Sequence, residues 1–183
     1  MYRLTRVSIQ PGTYKLGPGN GTLSVRTRRT GAAAKAGHNL VIGVTAWEAT
    51  LEVSRDTRIE LTADATSLRV REGTGGMQPL GDDDKASIEQ TIDDDVLKRQ
   101  HISFRSTRVD ATDGGLAVQG ELTLRGATRP LAFDVAVPGD GTLSAVAVVK
   151  QTDWGMKPYS GLFGALKVVD EVEVSVAVHG LGV

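Results

Sequence analysis

The sequence predicts an antiparallel all-β fold on three observations. Apolar residues recur with period two along most of the chain, glycine and proline clusters separate the runs, and a single segment carries a helical repeat. A strand turns successive side chains to opposite faces, so an apolar residue at every second position marks a sheet with one buried face.

Taken in chain order, Leu23 and Val25 alternate with Thr22, Ser24 and Arg26. The run from Leu40 to Val53 settles only in its second half, with Trp47, Ala49, Leu51 and Val53 opposite Glu48, Thr50 and Glu52; a bend or bulge near Thr45 reconciles the halves. Ile59, Leu61, Ala63 and Ala65 then alternate with Arg58, Glu60, Thr62 and Asp64. Residues 71–83, with Gly73, Gly75, Gly76 and Pro79, read as the longest loop. Between Asp84 and Arg99, Ile88, Ile92 and Val96 recur every four residues with Leu97 beside them. Asp82 to Asp84 suit the positive end of that helix dipole, and Lys98 and Arg99 the negative end. Thr91 followed by Asp94 resembles a capping box, so the segment reads as one helix or two short ones.

Ile102 and Phe104 open a further strand, and Leu116, Val118, Gly120, Leu122 and Leu124 share one face of the next. Leu131, Phe133, Val135 and Val137 repeat the pattern, as do Val172, Val174, Val176 and Val178 opposite Glu171, Glu173 and Ser175. Asp113-Gly114-Gly115 and Pro138-Gly139-Asp140-Gly141 supply hairpin turns. About eight antiparallel strands with little helix leave a sandwich or a closed barrel. With two Trp, three Tyr and three Phe in 183 residues, inward side chains are mostly small, and a small eight-stranded barrel lined that way has room for one ligand.

The length fits one domain spanning residues 1–183, with no linker or internal repeat. A net charge of -1 provides no global field for nucleic acid or an anionic membrane, and no run is long and apolar enough to span a bilayer. The absence of cysteine removes disulfides, thiol nucleophiles and thiolate metal sites. Met1 to Gly12 lacks the apolar core of an export signal, giving the cytoplasm as the expected compartment, with a mature exported chain as the alternative.

No nucleophile elbow, phosphate loop, dinucleotide fingerprint or zinc-binding helix is present, and His38, His101 and His179 are far apart without ligand spacing. The acidic runs Asp82 to Asp84 and Asp93 to Asp95 lack the alternation of a calcium loop and read as solvated helix ends. Arg26, Arg28, Arg29 and Lys35 read as a solvated strand edge; if Arg29 turns inward at a barrel mouth, it could hold a polar ligand head. The segment from Asp153 to Leu166 sets Trp154, Met156, Tyr159, Leu162 and Phe163 among glycines. These side chains either plug one end of the core or form an apolar lid over a cavity.

The run GELTLRGATRPLAFDV, Gly120 to Val135, resembles the strand-turn-strand signature of the YceI-like polyisoprenoid-binding proteins. ISFRS at Ile102 to Ser106, TDWGM at Thr152 to Met156 and AGHNL at Ala36 to Leu40 are similar to further family segments, so the resemblance runs from about residue 12 onward. Two features depart from the family: Ser87 to Arg99 replaces a common R-D-x-H-L-x-S-x-x-F-F segment, and Gln151 stands where many members carry arginine. The resemblance implies a lipocalin-like eight-stranded antiparallel barrel with a short helical insertion, holding a long isoprenoid lipid of quinone or polyprenyl type.

The expectation is thus a non-catalytic carrier for an apolar isoprenoid-type molecule, needing no cofactor or metal, with a homodimer as one open option. Phe104, Leu122, Leu124, Phe133, Val135, Val174 and Val176 are expected to line the barrel, with Trp154, Leu162 and Phe163 at its mouth. The alternatives are an enzyme using the same cavity and a scaffold with a filled barrel.

Overall fold

The structure, a computed structural model, describes residues 9–182. Most of the stretch read above for an export signal therefore lies outside the described residues. The chain begins with strands β1 (Gly12–Leu16), β2 (Gly21–Thr27) and β3 (Arg29–Thr30), then β4 (His38–Val44), β5 (Trp47–Val53), β6 (Arg58–Ala63) and β7 (Leu68–Gly75). Helix α1 (Asp82–Thr91) runs directly into a π-helical turn, Ile92–Val96. Strands β8 (Ile102–Thr112), β9 (Gly115–Leu124), β10 (Ala127–Ala136) and β11 (Leu143–Lys150) follow, then short β12 (Ser160–Gly161) and β13 (Leu166–Val168), and finally β14 (Glu171–Val178).

Eleven of these strands form one antiparallel ribbon in the order β1-β5-β6-β8-β9-β10-β11-β14-β2-β4-β7. Its two ends are halves of the same three chain segments: β1 leads into β2, β4 into β5 and β6 into β7. Counting each pair as one long, kinked strand gives eight strands, with hydrogen bonding continuous around the ring. The kinks lie side by side. At the first, Gly17 N donates to Asn20 Oδ1 at 3.0 Å; at the other two, Thr45 N donates to Ser67 O at 3.0 Å and Asp64 N to Ala46 O at 2.9 Å. Ser67 is buried, and its hydroxyl accepts from Ala46 N at 3.1 Å and donates to Asp64 O at 2.7 Å. That serine satisfies backbone groups which the break in the ladder would otherwise strand. The bend expected near Thr45 is present, and the Arg58 to Ala65 strand has a matching break.

Two elements without clear alternation add to the sequence reading. Strand β1 is only five residues long, and β11 carries Val146 and Val148 outward at 58% and 53% exposure, so its apolar residues run on without alternating. The loop placed at 71–83 is shorter, because β7 continues to Gly75 against β4. The helix begins two residues earlier than expected and changes pitch after Thr91, where Leu97 N reaches Ile92 O at 2.8 Å. Positive φ at Lys98 (51°) and Arg99 (54°) ends it. Strands β10 and β11 share only two register pairs, Val135 with Ala145 and Ala136 with Ser144. Above that short ladder the 3-10 turn Gln151–Trp154 packs against β10.

Candidate ligand cavity

The inward rows enclose a cavity of about 510 Å3. Its walls come from every long strand, and seven residues expected there face it: Phe104 from β8, Leu122 and Leu124 from β9, Phe133 and Val135 from β10, and Val174 and Val176 from β14. Alanines 49, 63, 145 and 147 line it too, and their small side chains are what leaves the space. Below, tight packing among residues such as Leu51, Val118, Val137 and Val178, all almost fully buried, closes the barrel. On β9, Gly120 gives the Phe104 ring its seat: a Cβ at that position would lie 2.5 Å from Arg105 O and collide with the ring. Phe104 leans instead on Phe133, with ring centroids 5.4 Å apart at a tilt of 54°.

The three aromatic-segment residues expected at the mouth do not stand together there. Trp154 is buried at 4% exposure and absent from the cavity wall; its Nε1 donates to Leu122 O at 2.8 Å, fastening the Gln151–Trp154 turn to the barrel. An indole needs such an acceptor once buried, and a strand carbonyl supplies it. Arg125 Nη1 ties the next residue by donating to Gly155 O at 2.9 Å. Leu162 and Phe163 point away, 56% and fully exposed respectively, on the tight turn between β12 and β13. The segment thus divides: Trp154 plugs, Met156 and Tyr159 line the cavity, and Leu162 and Phe163 project into solvent.

The cover over the mouth is the helical segment. Ile88, Thr91, Ile92, Val96 and Leu97 line the cavity from above, so the four-residue repeat seen in the sequence marks the underside of a lid. Glu89 anchors it, its Oε1 accepting from Val70 N at 2.8 Å and its Oε2 standing 3.9 Å from Arg69 Nε.

The polar lining groups gather at the same end: Ser87 and Thr91 on the lid, and Thr27, Arg29, His38, Gln151, Tyr159 and Lys167 around it. Arg29 does turn inward, lying across Gly75 and donating through Nη1 to Gly37 O at 2.5 Å, whereas Arg26 and Arg28 are exposed. His38 lies across Gly76 and donates from Nε2 to Gln78 O at 2.7 Å. Side chains at Gly75 and Gly76 would displace both rims, and each glycine has positive φ (77° and 69°). Thr27 Oγ1 is buried without a hydrogen-bond partner. Gln151 Nε2 donates to Val169 O at 3.2 Å, holding the two chain segments of the rim together. Beside it, burial opposes the charge on Asp170, but bonds from Thr152 Oγ1 (2.6 Å) and Thr152 N (2.9 Å), with the Lys150 charge, hold its carboxyl below the ordinary range.

Below this rim the lining carries, among the described residues, no carboxylate or other ionisable group, so what the interior offers a guest is desolvation. Among the described residues no helix is long and apolar enough to cross a membrane.

A closed antiparallel barrel around one apolar, lidded cavity defines a class of small-molecule-enclosing β-barrels. Within that class the chain belongs to the YceI-like domain family, whose profile matches residues 14–179. Solved structures share the fold. Burkholderia cenocepacia BcnA superposes with a TM-score of 0.58 at 17% identity, covering 87% of this chain and 96% of that one. The Campylobacter jejuni YCEI protein gives 0.57 at 12% identity, covering 78% and 84%. A polyisoprenoid binding domain from Saccharophagus degradans, implicated in plant cell wall breakdown, gives 0.51 at 9% identity, covering 93% and 99%. No curated protein sequence matches significantly.

Proposed function

We propose that this protein is a non-catalytic carrier that encloses the tail of a long apolar lipid of isoprenoid type in its barrel. The observation that carries this reading is the 510 Å3 cavity, walled by hydrocarbon and polar only at its lidded mouth. Its size falls within the range of about 300–1,000 Å3 typical of small-molecule pockets. A tail burying about 300 Å2 of apolar surface gains about 7 kcal/mol in gross terms, before the cost of ordering the chain. The name of the Saccharophagus degradans neighbour supports the isoprenoid class. The ligand's polar end, of quinone or polyprenyl type, then lies toward Thr27, Arg29, His38 and Lys167. With ionisable lining groups confined to the mouth and no carboxylate among them, the wall favours binding over general acid-base chemistry.

Native mass spectrometry and solvent extraction of the purified protein test this reading directly. Ala147→Phe, which adds a ring inside the cavity at a half-buried position, is expected to fold and to lose most of the bound lipid. Full retention of lipid by that variant would place the guest elsewhere and sink the proposal.

A further inference from the structure

Strands β3, β13 and β12 form a small antiparallel strap at one side of the mouth. Val169 N donates to Arg28 O and Ala33 N to Ala165 O, each at 2.8 Å, so residues 27–38 and 154–169 are one surface. These two segments hold Arg28, Arg29, Lys35, Lys157 and Lys167 and no aspartate or glutamate between the flanking Asp153 and Asp170, in a chain whose net charge is -1. The same surface carries an apolar tip, Leu162 and Phe163, in consecutive left-handed conformations (φ 49° and 56°). Six large apolar side chains are exposed among the described residues. Of these, Met77 follows the Gly76 that His38 covers and Tyr159 lines the mouth, while Leu162 and Phe163 project from the strap beside it. The strap is continuous with the cavity, since Gly37, His38, Tyr159, Leu166 and Lys167 belong to both.

We infer that the strap is a docking surface for an anionic lipid bilayer: Leu162 and Phe163 enter the interface while the strap's cations meet the headgroups, setting the strap side of the mouth, and not the lid, against the membrane. An apolar tip ringed by cations suits that interface, where burial and charge attraction add. Desolvation alone would serve any apolar partner, but five cations against the two carboxylates that border them, Asp153 and Asp170, favour a negatively charged one. The lid fixes the approach. Asp82 to Asp84 and Asp93 to Asp95 lie on it, so an anionic surface attracts the strap and repels the lid, and the strap meets it first.

Flotation of the full chain with vesicles tests the inference, using phosphatidylcholine alone and phosphatidylcholine mixed with phosphatidylglycerol. The protein is expected to float with the mixed vesicles, weakly with phosphatidylcholine alone, and less as salt rises. The double variant L162S/F163S, and separately K35E/K157E, should each lower partitioning by roughly tenfold or more, with circular dichroism and melting temperature unchanged because all four positions are exposed. Absence of flotation, or flotation unaffected by either pair, would overturn the inference. So would concentration-dependent self-association that L162S/F163S abolishes without vesicle binding, since the tip would then be a contact between copies. Flotation is read apart from lipid content, so it can fail while the cavity reading stands, and the reverse.

Discussion

At the scale of single residues, an absence matters as much as any side chain. Gly120 and the Phe104 ring occupy one place on the barrel wall, so Gly120→Ala must either push the ring into the cavity or part β9 from β8. Overpacking of that kind is expected to lower stability by about 1–3 kcal/mol in urea titration and to narrow the cavity for its guest. Carboxylates set the acid limit. Asp64 accepts from Thr66 N and Oγ1, Asp140 from Thr142 Oγ1 and N, and Asp170 from Thr152 against an opposing effect of burial; all three are held below the ordinary value. As pH falls, the unfolded chain therefore takes up protons first. The stability these bonds contribute is complete above the ordinary carboxylate value of about 4 and is lost as pH falls through the lowered folded values. Melting temperatures recorded from about pH 6 to pH 2 should show that loss, and the triple change T66V/T142V/T152V, which removes the hydroxyl donors and keeps the backbone ones, should reduce it. Residue by residue, the wall was legible because Leu122, Phe133 and Val174 announce their face through alternation. Trp154 was not, because a buried indole and an exposed Phe163 look alike in a glycine-rich segment; only the Leu122 carbonyl separates them.

Among the elements, the helical lid packs on the barrel through Ile92, Val96 and Leu97 and is hydrogen-bonded to the sheet through Glu89. Strand β7 has β4 along one side, and on the other Glu89 supplies Val70 N with the acceptor that a neighbouring strand would have offered. Glu89→Ala is expected to speed release of bound lipid severalfold and to cost about 1–2 kcal/mol for the orphaned amide. Glu89→Gln keeps an acceptor and should restore most of both, as stopped-flow release and denaturant titration would report. The helix was legible from Ile88, Ile92 and Val96, but its role was not. A period of four says which face is apolar, and that face covers a cavity as readily as it joins a core. Strand β11 escaped the same pattern for the opposite reason: apolar Val146 and Val148 on its outer face erase the contrast that alternation needs.

For the whole molecule, alternation records burial and is silent about which strand meets which, so it fits a sandwich and a barrel equally; the small inward side chains lean toward a barrel, and the family resemblance implies one. What closes the barrel is the folding of three long segments at adjacent kinks, each half pairing at a different end of the ribbon. The chain thereby leaves few open strand edges. The cavity inside it has a mechanical consequence. An apolar space of about 510 Å3 that stands dry is volume the unfolded chain does not keep, so the empty protein should shrink more on unfolding than a solid barrel of its size. High-pressure fluorescence of Trp47 and Trp154 is then expected to report unfolding of the lipid-free form at distinctly lower pressure than the filled form. Equal midpoints would mean that water already occupies the empty barrel; separate midpoints make hydrostatic compression a direct gauge of how full each molecule is.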